Sequence, residues 1–218
     1  MKSQRWAKWF NVHLILFMLI GLAGCGAGKE ESSEPASDKE TEEFSSVTVE
    51  TKFGPVEITE KPERIVALGW GDAETALALG VEPVGASDWL AFGGDGVGPW
   101  LEGAYKNPPT ILGTMELDYE QIAALEPDLI LDVRSSGDEE RYNRLSEIAP
   151  TIGVPKGGDN YLATYEQQVE MISKALGKEE EGKKLLKEVE EAFEKAREEY
   201  PQFADKTVAV GAYTSEGW

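Results

Sequence analysis

Histidine and cysteine are almost absent from this chain of 218 residues, which contains one of each, His13 and Cys25. A single cysteine cannot form a disulfide within the chain. Structural zinc sites and most transition-metal sites are built from imidazole or thiolate groups, and Ser-His-Asp or Cys-His catalytic units require histidine. The composition therefore predicts no metal site and no catalytic unit of these kinds beyond the N-terminal segment. Carboxylate acid–base chemistry stays open, because Asp and Glu are abundant.

Positive charge is also scarce, since 21 Lys and Arg residues face 41 Asp and Glu residues and give a formal net charge of −20. Such a surface repels nucleic-acid phosphates and anionic lipid headgroups, so we expect no nucleic-acid partner. A phosphate-binding G-x-G-x-x-G motif between a strand and a helix is missing as well. The Gly-rich stretch from Gly93 to Gly98 opens no clear helix and is interpreted as a loop.

The N-terminus has the pattern of an export signal. Three basic residues in the first eight positions precede an apolar run from Leu14 to Ala23, which is shorter than the roughly 20 residues that span a bilayer. The run ends in Leu22-Ala23-Gly24-Cys25, which resembles a bacterial lipobox. In that pattern the signal, here residues 1–24, is removed and the thiol of Cys25 is acylated with a palmitate-type chain. The alternatives are an uncleaved anchor or a chance cysteine.

The rest of the chain divides by composition and periodicity. Residues 25–46 are polar and acidic and are interpreted as a disordered tether. Residues 47–177 begin with a predicted hairpin and then alternate short apolar runs with helical patterns. We predict strands at 64–68, 83–86, 128–131 and 151–154, and helices at 73–79 (capped by Asp72), 118–125, 141–148 and 164–176. Nearly continuous apolar runs are typical of parallel strands buried on both faces, so the pattern predicts an α/β, Rossmann-like lobe with a parallel sheet.

One long helix is predicted over residues 178–200, which would reach about 34 Å at about 1.5 Å per residue. Its apolar stripe consists of Leu185, Val189, Phe193, Ala196 and Tyr200. Pro201 ends the helix, and Thr207 to Gly211 is predicted to be a strand. Residues 201–218 are therefore interpreted as the start of a second α/β lobe that is truncated at its C-terminal side.

Three segments and the lipobox together carry a family resemblance. The segments are Pro62–Leu68, Glu74–Gly85 and Asp118–Leu131, and the helix that begins at Lys178 fits them as an interlobe spine. From about Val47 onward the chain resembles the substrate-binding lipoproteins of ABC importers for iron-siderophores. These are class III periplasmic binding proteins of the ferric hydroxamate and cobalamin type. The resemblance implies a non-enzymatic protein that captures a ferric siderophore and has no cofactor.

The expected ligand residues follow from this fold. In an open α/β sheet, ligands bind outside the carboxyl ends of the strands. A ferric siderophore is bulky, partly apolar and often anionic, and favours aromatic walls with a fixed cation. The expected contacts are Trp70, Trp89, Met115 and Arg134, with Tyr213 and Ser215 from the second lobe. The alternatives are core packing for the tryptophans and a surface salt bridge for Arg134.

The resemblance also implies partners and a location. Glu74 lies on the first helix, in a motif where the family presents a glutamate to arginines of the ABC transporter permease. Charge-assisted pairing of this kind suits a contact that forms and releases. We expect a monomer that is lipid-anchored through Cys25 at the extracytoplasmic face of the cell membrane.

Two other functions stay open from the sequence. The first is a haem- or cobalamin-binding protein of the same fold, although the near absence of histidine and cysteine disfavours axial ligation of haem. The second is a secreted α/β enzyme that uses carboxylates. A turnover screen separates these classes, because a binding protein consumes nothing.

Overall fold

A five-stranded parallel sheet forms the centre of the structure, a computed structural model that describes residues 44–88, 95–101, 103–114 and 116–209. Its strands are β3 (Ile65–Ala67), β4 (Gly85–Ser87), β5 (Thr110–Leu112), β6 (Leu129–Leu131) and β7 (Thr151–Ile152). They lie in the order β5-β4-β3-β6-β7. The chain thus builds outward from β3 in one direction and then returns to build outward in the other. This is the doubly wound, Rossmann-like order, and the predicted α/β class is correct.

Short helices cover both faces of this sheet. They are α1 (Asp72–Ala78), α2 (Tyr119–Ala124), α3 (Glu139–Ser146) and α4 (Tyr165–Ala175). Because side chains alternate along a strand, Ile65 and Ala67 pack into the cluster that contains α1 and α4 residues, whereas Val66 packs into the cluster with Ile122 of α2 and Leu145 of α3. The sheet is therefore buried on both faces, as its apolar strands predicted.

Side-chain caps explain where three of these helices begin. Asp118 accepts a hydrogen bond from the backbone N–H of Gln121, and Asp138 accepts one from that of Arg141. Thr164 and Gln167 form a complete capping box at the start of α4. The predicted cap of α1 is wrong. Its N-cap is Gly71, in a left-handed conformation at φ 77°, and no side chain caps it.

A two-stranded hairpin precedes the sheet and contacts residues next to the edge strand β7. Strands β1 (Val47–Thr51) and β2 (Gly54–Ile58) pair in antiparallel fashion. The backbone N–H of Lys52 donates to Val154 O at 2.9 Å. Its Nζ donates to Gly137 O at 3.0 Å, across a sequence separation of 85 residues. Phe53 stacks on Tyr142 with ring centroids 4.1 Å apart. The hairpin therefore holds the loops that follow β6 and β7.

The long helix α5 occupies Glu179–Glu199, close to the predicted range. Leu185 and Val189 of its apolar stripe are half-buried, whereas Phe193 is 62% and Tyr200 is 49% exposed. A 3-10 turn at Pro201–Phe203 follows. Residues 206–209 have no regular structure, so the described part of the predicted strand at 207–211 is not a strand. In the described part of the chain, no helix combines the length and apolar character needed to cross a bilayer.

Candidate functional site

The loops after β3 and β6 diverge at the point where the strand order of the sheet reverses, which is where open α/β sheets form a ligand crevice. Trp70 follows β3 and is half-buried, and Arg134 follows β6 and is exposed. The backbone N–H of Trp70 donates to Arg134 O at 2.9 Å. Two of the residues predicted from the sequence thus lie side by side at the carboxyl edge of the sheet.

Tyr161 joins these two residues and was not predicted. Its ring lies 4.7 Å from that of Trp70, centroid to centroid, at an interplanar angle of 36°. Its carbonyl oxygen accepts a long hydrogen bond from Arg134 Nε at 3.4 Å, and its N–H donates to Ser135 O at 2.7 Å. Tyr161 has a positive φ of 59°, which is uncommon for an aromatic residue and is held here by these contacts. It lies in the loop after β7, so the carboxyl-end rule that found Trp70 could have found it too.

Asp72 supports this arrangement from the protein interior. Its side chain is fully buried and accepts hydrogen bonds from Val133 N at 2.8 Å and from Gln168 Nε2 at 2.6 Å. Burial raises the pKa of Asp72 to about 7, against the lowering effect of these hydrogen bonds. The carboxylate expected to cap α1 instead faces inward and ties the loops of β3 and β6 to α4. Gly69 permits this approach, because a Cβ there would collide with Asp72 and would lie 2.8 Å from Arg134 N.

A second buried carboxylate, Asp132, is neutralised by Arg141 of α3. Arg141 Nε lies 3.2 and 3.1 Å from the two oxygens of Asp132, and its NH2 group lies 2.5 Å from Oδ1. Burial alone would lower the pKa of Arg141, but the hydrogen bonds and charge of Asp132 outweigh it and raise this pKa above its usual value. The Arg141 guanidinium is thus committed to the protein interior, whereas Arg134 is exposed at the carboxyl edge of the sheet.

Glu74 lies on α1 and is half-buried. Its Oε1 accepts a hydrogen bond from the backbone N–H of Gly98 at 2.9 Å, so one carboxylate oxygen holds the segment that leads from β4 toward β5. This contact was not foreseen from the sequence. Whether Glu74 also meets a permease stays a prediction.

The other predicted site residues lie outside the described residues. These are Trp89, Met115, Tyr213, Ser215 and the lipidation residue Cys25. At the ends of β4 and β5, Thr114 Oγ1 donates to Asp88 Oδ1 at 2.6 Å and joins the loops of these two strands. Within the described residues, no group of three or more His, Cys, Asp and Glu side chains could hold a metal ion.

The sequence of this chain matches a known protein family and curated proteins. The model of the family described as "Periplasmic binding protein" matches residues 65–217. A probable siderophore-binding lipoprotein of Bacillus subtilis is 28% identical over 204 residues, which make up 93% of this chain and 59% of the relative.

Solved structures of binding proteins also resemble this chain. A periplasmic solute binding protein from Mycobacterium smegmatis superposes with a TM-score of 0.68 at 34% identity, over 72% of this chain and 56% of that protein. The iron-uptake protein PiaA from Streptococcus pneumoniae, in complex with ferrichrome, superposes with a TM-score of 0.64 at 32% identity, over 72% and 53% of the two chains. This chain therefore spans between half and two thirds of the length of these relatives.

Proposed function

Because the chain belongs to the periplasmic binding protein family, we propose that it is an extracytoplasmic substrate-binding lipoprotein of an ABC importer, which captures a ferric siderophore and delivers it to the membrane permease. Family members of this kind bind and release a substrate without converting it. The proposal gives the chain no catalytic role and no resident cofactor.

The meeting of Trp70, Tyr161 and Arg134 at the switch point is the observation that carries this proposal. Two aromatic rings offer an apolar wall to a bulky chelate. The exposed guanidinium of Arg134 offers a rigid fork of donors to its anionic oxygens. The named ligands of similar proteins, ferrichrome for PiaA and ferric citrate for a Bacillus subtilis relative at 26% identity, are iron chelates of this kind.

The remaining parts of the proposal concern the rest of the protein. Cys25 anchors it to the extracytoplasmic face of the membrane through an acyl chain, and Glu74 meets the permease. The exposed part of the α5 stripe packs against a second α/β lobe that supplies the other wall of the cleft. Support for this lobe comes from the apolar groove lined by Phe193, Ala196, Tyr200 and Phe203, and from the greater length of the relatives.

Tryptophan fluorescence tests the proposal directly, because Trp70 lies in the site. The protein is titrated with ferric and iron-free catecholate, hydroxamate and citrate siderophores, and with haem and cobalamin. We expect saturable quenching by at least one ferric siderophore, much weaker quenching by its iron-free form, and reduced quenching in Trp70→Phe. Saturation by haem or cobalamin alone, or turnover of any ligand, would contradict the proposed function.

A further inference from the structure

We propose that Asp72 and Gln168 act as a positioning pair that sets the placement of Trp70 relative to Arg134. The importance of this placement for ligand binding rests on the proposed function. Neither residue touches the surface of the crevice, since Asp72 is fully buried and Gln168 is 4% exposed. Both would therefore act through the residues that they hold.

Gln168 of α4 connects the β3 loop to the carboxylate. Its Nε2 donates one hydrogen bond to the backbone O of Trp70 at 2.8 Å and another to Asp72 Oδ1 at 2.6 Å. The two donated bonds use both N–H groups of the amide. Trp70 is thus fixed through its own carbonyl group, at a distance set by the buried amide.

Asp72 connects the same amide to the β6 loop. Its Oδ2 accepts from the N–H of Val133, the residue before Arg134, at 2.8 Å. Hydrogen bonds therefore connect each successive pair of residues along the path Trp70, Gln168, Asp72 and Val133. The bond between Trp70 N and Arg134 O closes this path into a ring. A ring of this kind leaves the two loops little freedom to separate.

Protonation of Asp72 would change the ring. The partners of its carboxylate, the backbone N–H groups of Val133 and Arg134 and the amide of Gln168, are all donors, so an added proton meets no acceptor. Rotation of the Gln168 amide would present Oε1 to the new O–H group, but it would also withdraw Nε2 from the Trp70 carbonyl. Protonation of the buried Asp72 would thereby remove a hydrogen bond that holds Trp70.

Burial, and to a smaller extent the charge of Asp132, allows this proton transfer near neutral pH. Asp132, from the end of β6, faces it and disfavours its ionisation, while Arg141 of α3 offsets part of the Asp132 charge. Gln168, from α4, is uncharged. Burial contributes most, and together these effects bring the pKa of Asp72 to about 7.

Nuclear magnetic resonance of ¹⁵N-labelled, ligand-free protein tests the inference. The amide signals of Trp70, Val133 and Arg134 and the Trp70 indole signal are followed from about pH 5 to about pH 9. We expect one shared titration in the wild type, whereas Asp72→Asn stays in the low-pH positions throughout. Gln168→Met should keep the titration at Val133 and strongly reduce it at Trp70, because only the path through Arg134 remains.

Thr151→Val is the matched control. Thr151 is fully buried and its hydroxyl donates to Ala149 O, just before β7, so this variant loses a buried hydrogen bond without touching the ring. Its titration should match the wild type. Absence of a titration at Trp70 in the wild type, or an unchanged titration in Asp72→Asn, would overturn the inference. If Asp72→Asn does not fold, the contrast between Val133 and Trp70 in Gln168→Met decides.

Ligand affinity separates the two proposals. Asp72→Asn should weaken binding of the ferric siderophore identified by fluorescence about tenfold or more, which is about 1.4 kcal/mol. Thr151→Val should leave affinity unchanged. A normal titration in a protein that binds no siderophore would remove the proposed function and leave the positioning pair intact. A normal affinity in Asp72→Asn, despite altered Trp70 signals, would overturn the importance of the pair for binding.

Discussion

Arg134 is an exposed cation at the carboxyl edge of the sheet, next to the rings of Trp70 and Tyr161. Replacement by Ala should weaken an anionic ferric siderophore by roughly tenfold or more, because a hydrogen bond to a charged group contributes about 1.5–3 kcal/mol. A neutral chelate should lose much less affinity. The measurement is a pair of fluorescence titrations, one with each chelate.

Two further variants sharpen this test at the residue scale. Arg134→Lys keeps the charge but removes the planar fork, and should recover only part of the affinity. Arg144→Ala makes the same change in net charge on α3, where Arg144 lies over the ring of Tyr119, and should bind normally. Equal losses for anionic and neutral chelates in Arg134→Ala would indicate packing rather than charge.

Asp72 predicts an unusual dependence of stability on pH. Its pKa is about 7 in the folded protein and near 3.8 when unfolded, so the folded state holds its proton more tightly. This contribution to stability is complete below about pH 4 and is lost as pH rises through 7. Relative to Asp72→Asn, the wild type should therefore lose stability between these values, on the order of 4 kcal/mol. Urea unfolding of both proteins at several pH values measures it, and parallel curves would contradict the assignment.

The sequence was informative about residues that follow a general rule of the fold. Trp70 and Arg134 were predicted to lie at the carboxyl ends of parallel strands, and in the structure they lie side by side there. Asp72 was misjudged, because an aspartate before an apolar helix has the same pattern whether it caps the helix or turns inward. Only the long-range partners Val133 and Gln168 distinguish these cases, and local sequence contains no signal for them.

At the scale of elements, helices were predicted better than strands. Helices α2, α3 and α4 begin within a few residues of their predicted starts, and the structure adds the caps Asp118, Asp138 and Thr164. Strand β5 was missed. It has three residues at the edge of the sheet, and only Leu112 is buried, so it lacks the continuous apolar run of the inner strands.

The contact between α1 and the segment after β4 gives a prediction for Glu74. Glu74→Gln keeps an oxygen that can accept from Gly98 N–H but removes the charge, whereas Glu74→Ala removes both. If Glu74 meets the permease, both variants should reduce uptake of a labelled ferric siderophore by cells. Both should keep ligand affinity, because docking and binding use different surfaces. Only Glu74→Ala should lose stability, by about 1 kcal/mol.

Unfolding, affinity and uptake of the two Glu74 variants are measured on the same preparations. Normal uptake by Glu74→Gln would remove the docking role and leave the structural one. A large loss of affinity in either variant would show that the residue affects the cleft.

At the scale of the whole molecule, the proposed anchor predicts where the protein is found. Cys25→Ser removes the acylated thiol, so the protein should leave the membrane fraction and appear in the soluble fraction. Cell fractionation with mass spectrometry of the N-terminal peptide checks this. The wild type should carry acyl mass on Cys25, and a wild type that lacks it and fractionates like the variant would refute the anchor.

The hairpin β1–β2 also has a consequence for the order of folding. The hairpin is synthesised before the sheet. The hydrogen bond from Lys52 to Gly137 can form only after the chain has continued for another 85 residues. Contacts between distant positions form slowly, because a long loop must close first. We therefore expect the sheet around β3 to assemble early in refolding and the hairpin to dock late. Until the hairpin docks, the loops after β6 and β7 lack their contacts with it. Ligand binding should therefore appear only in the final phase of refolding.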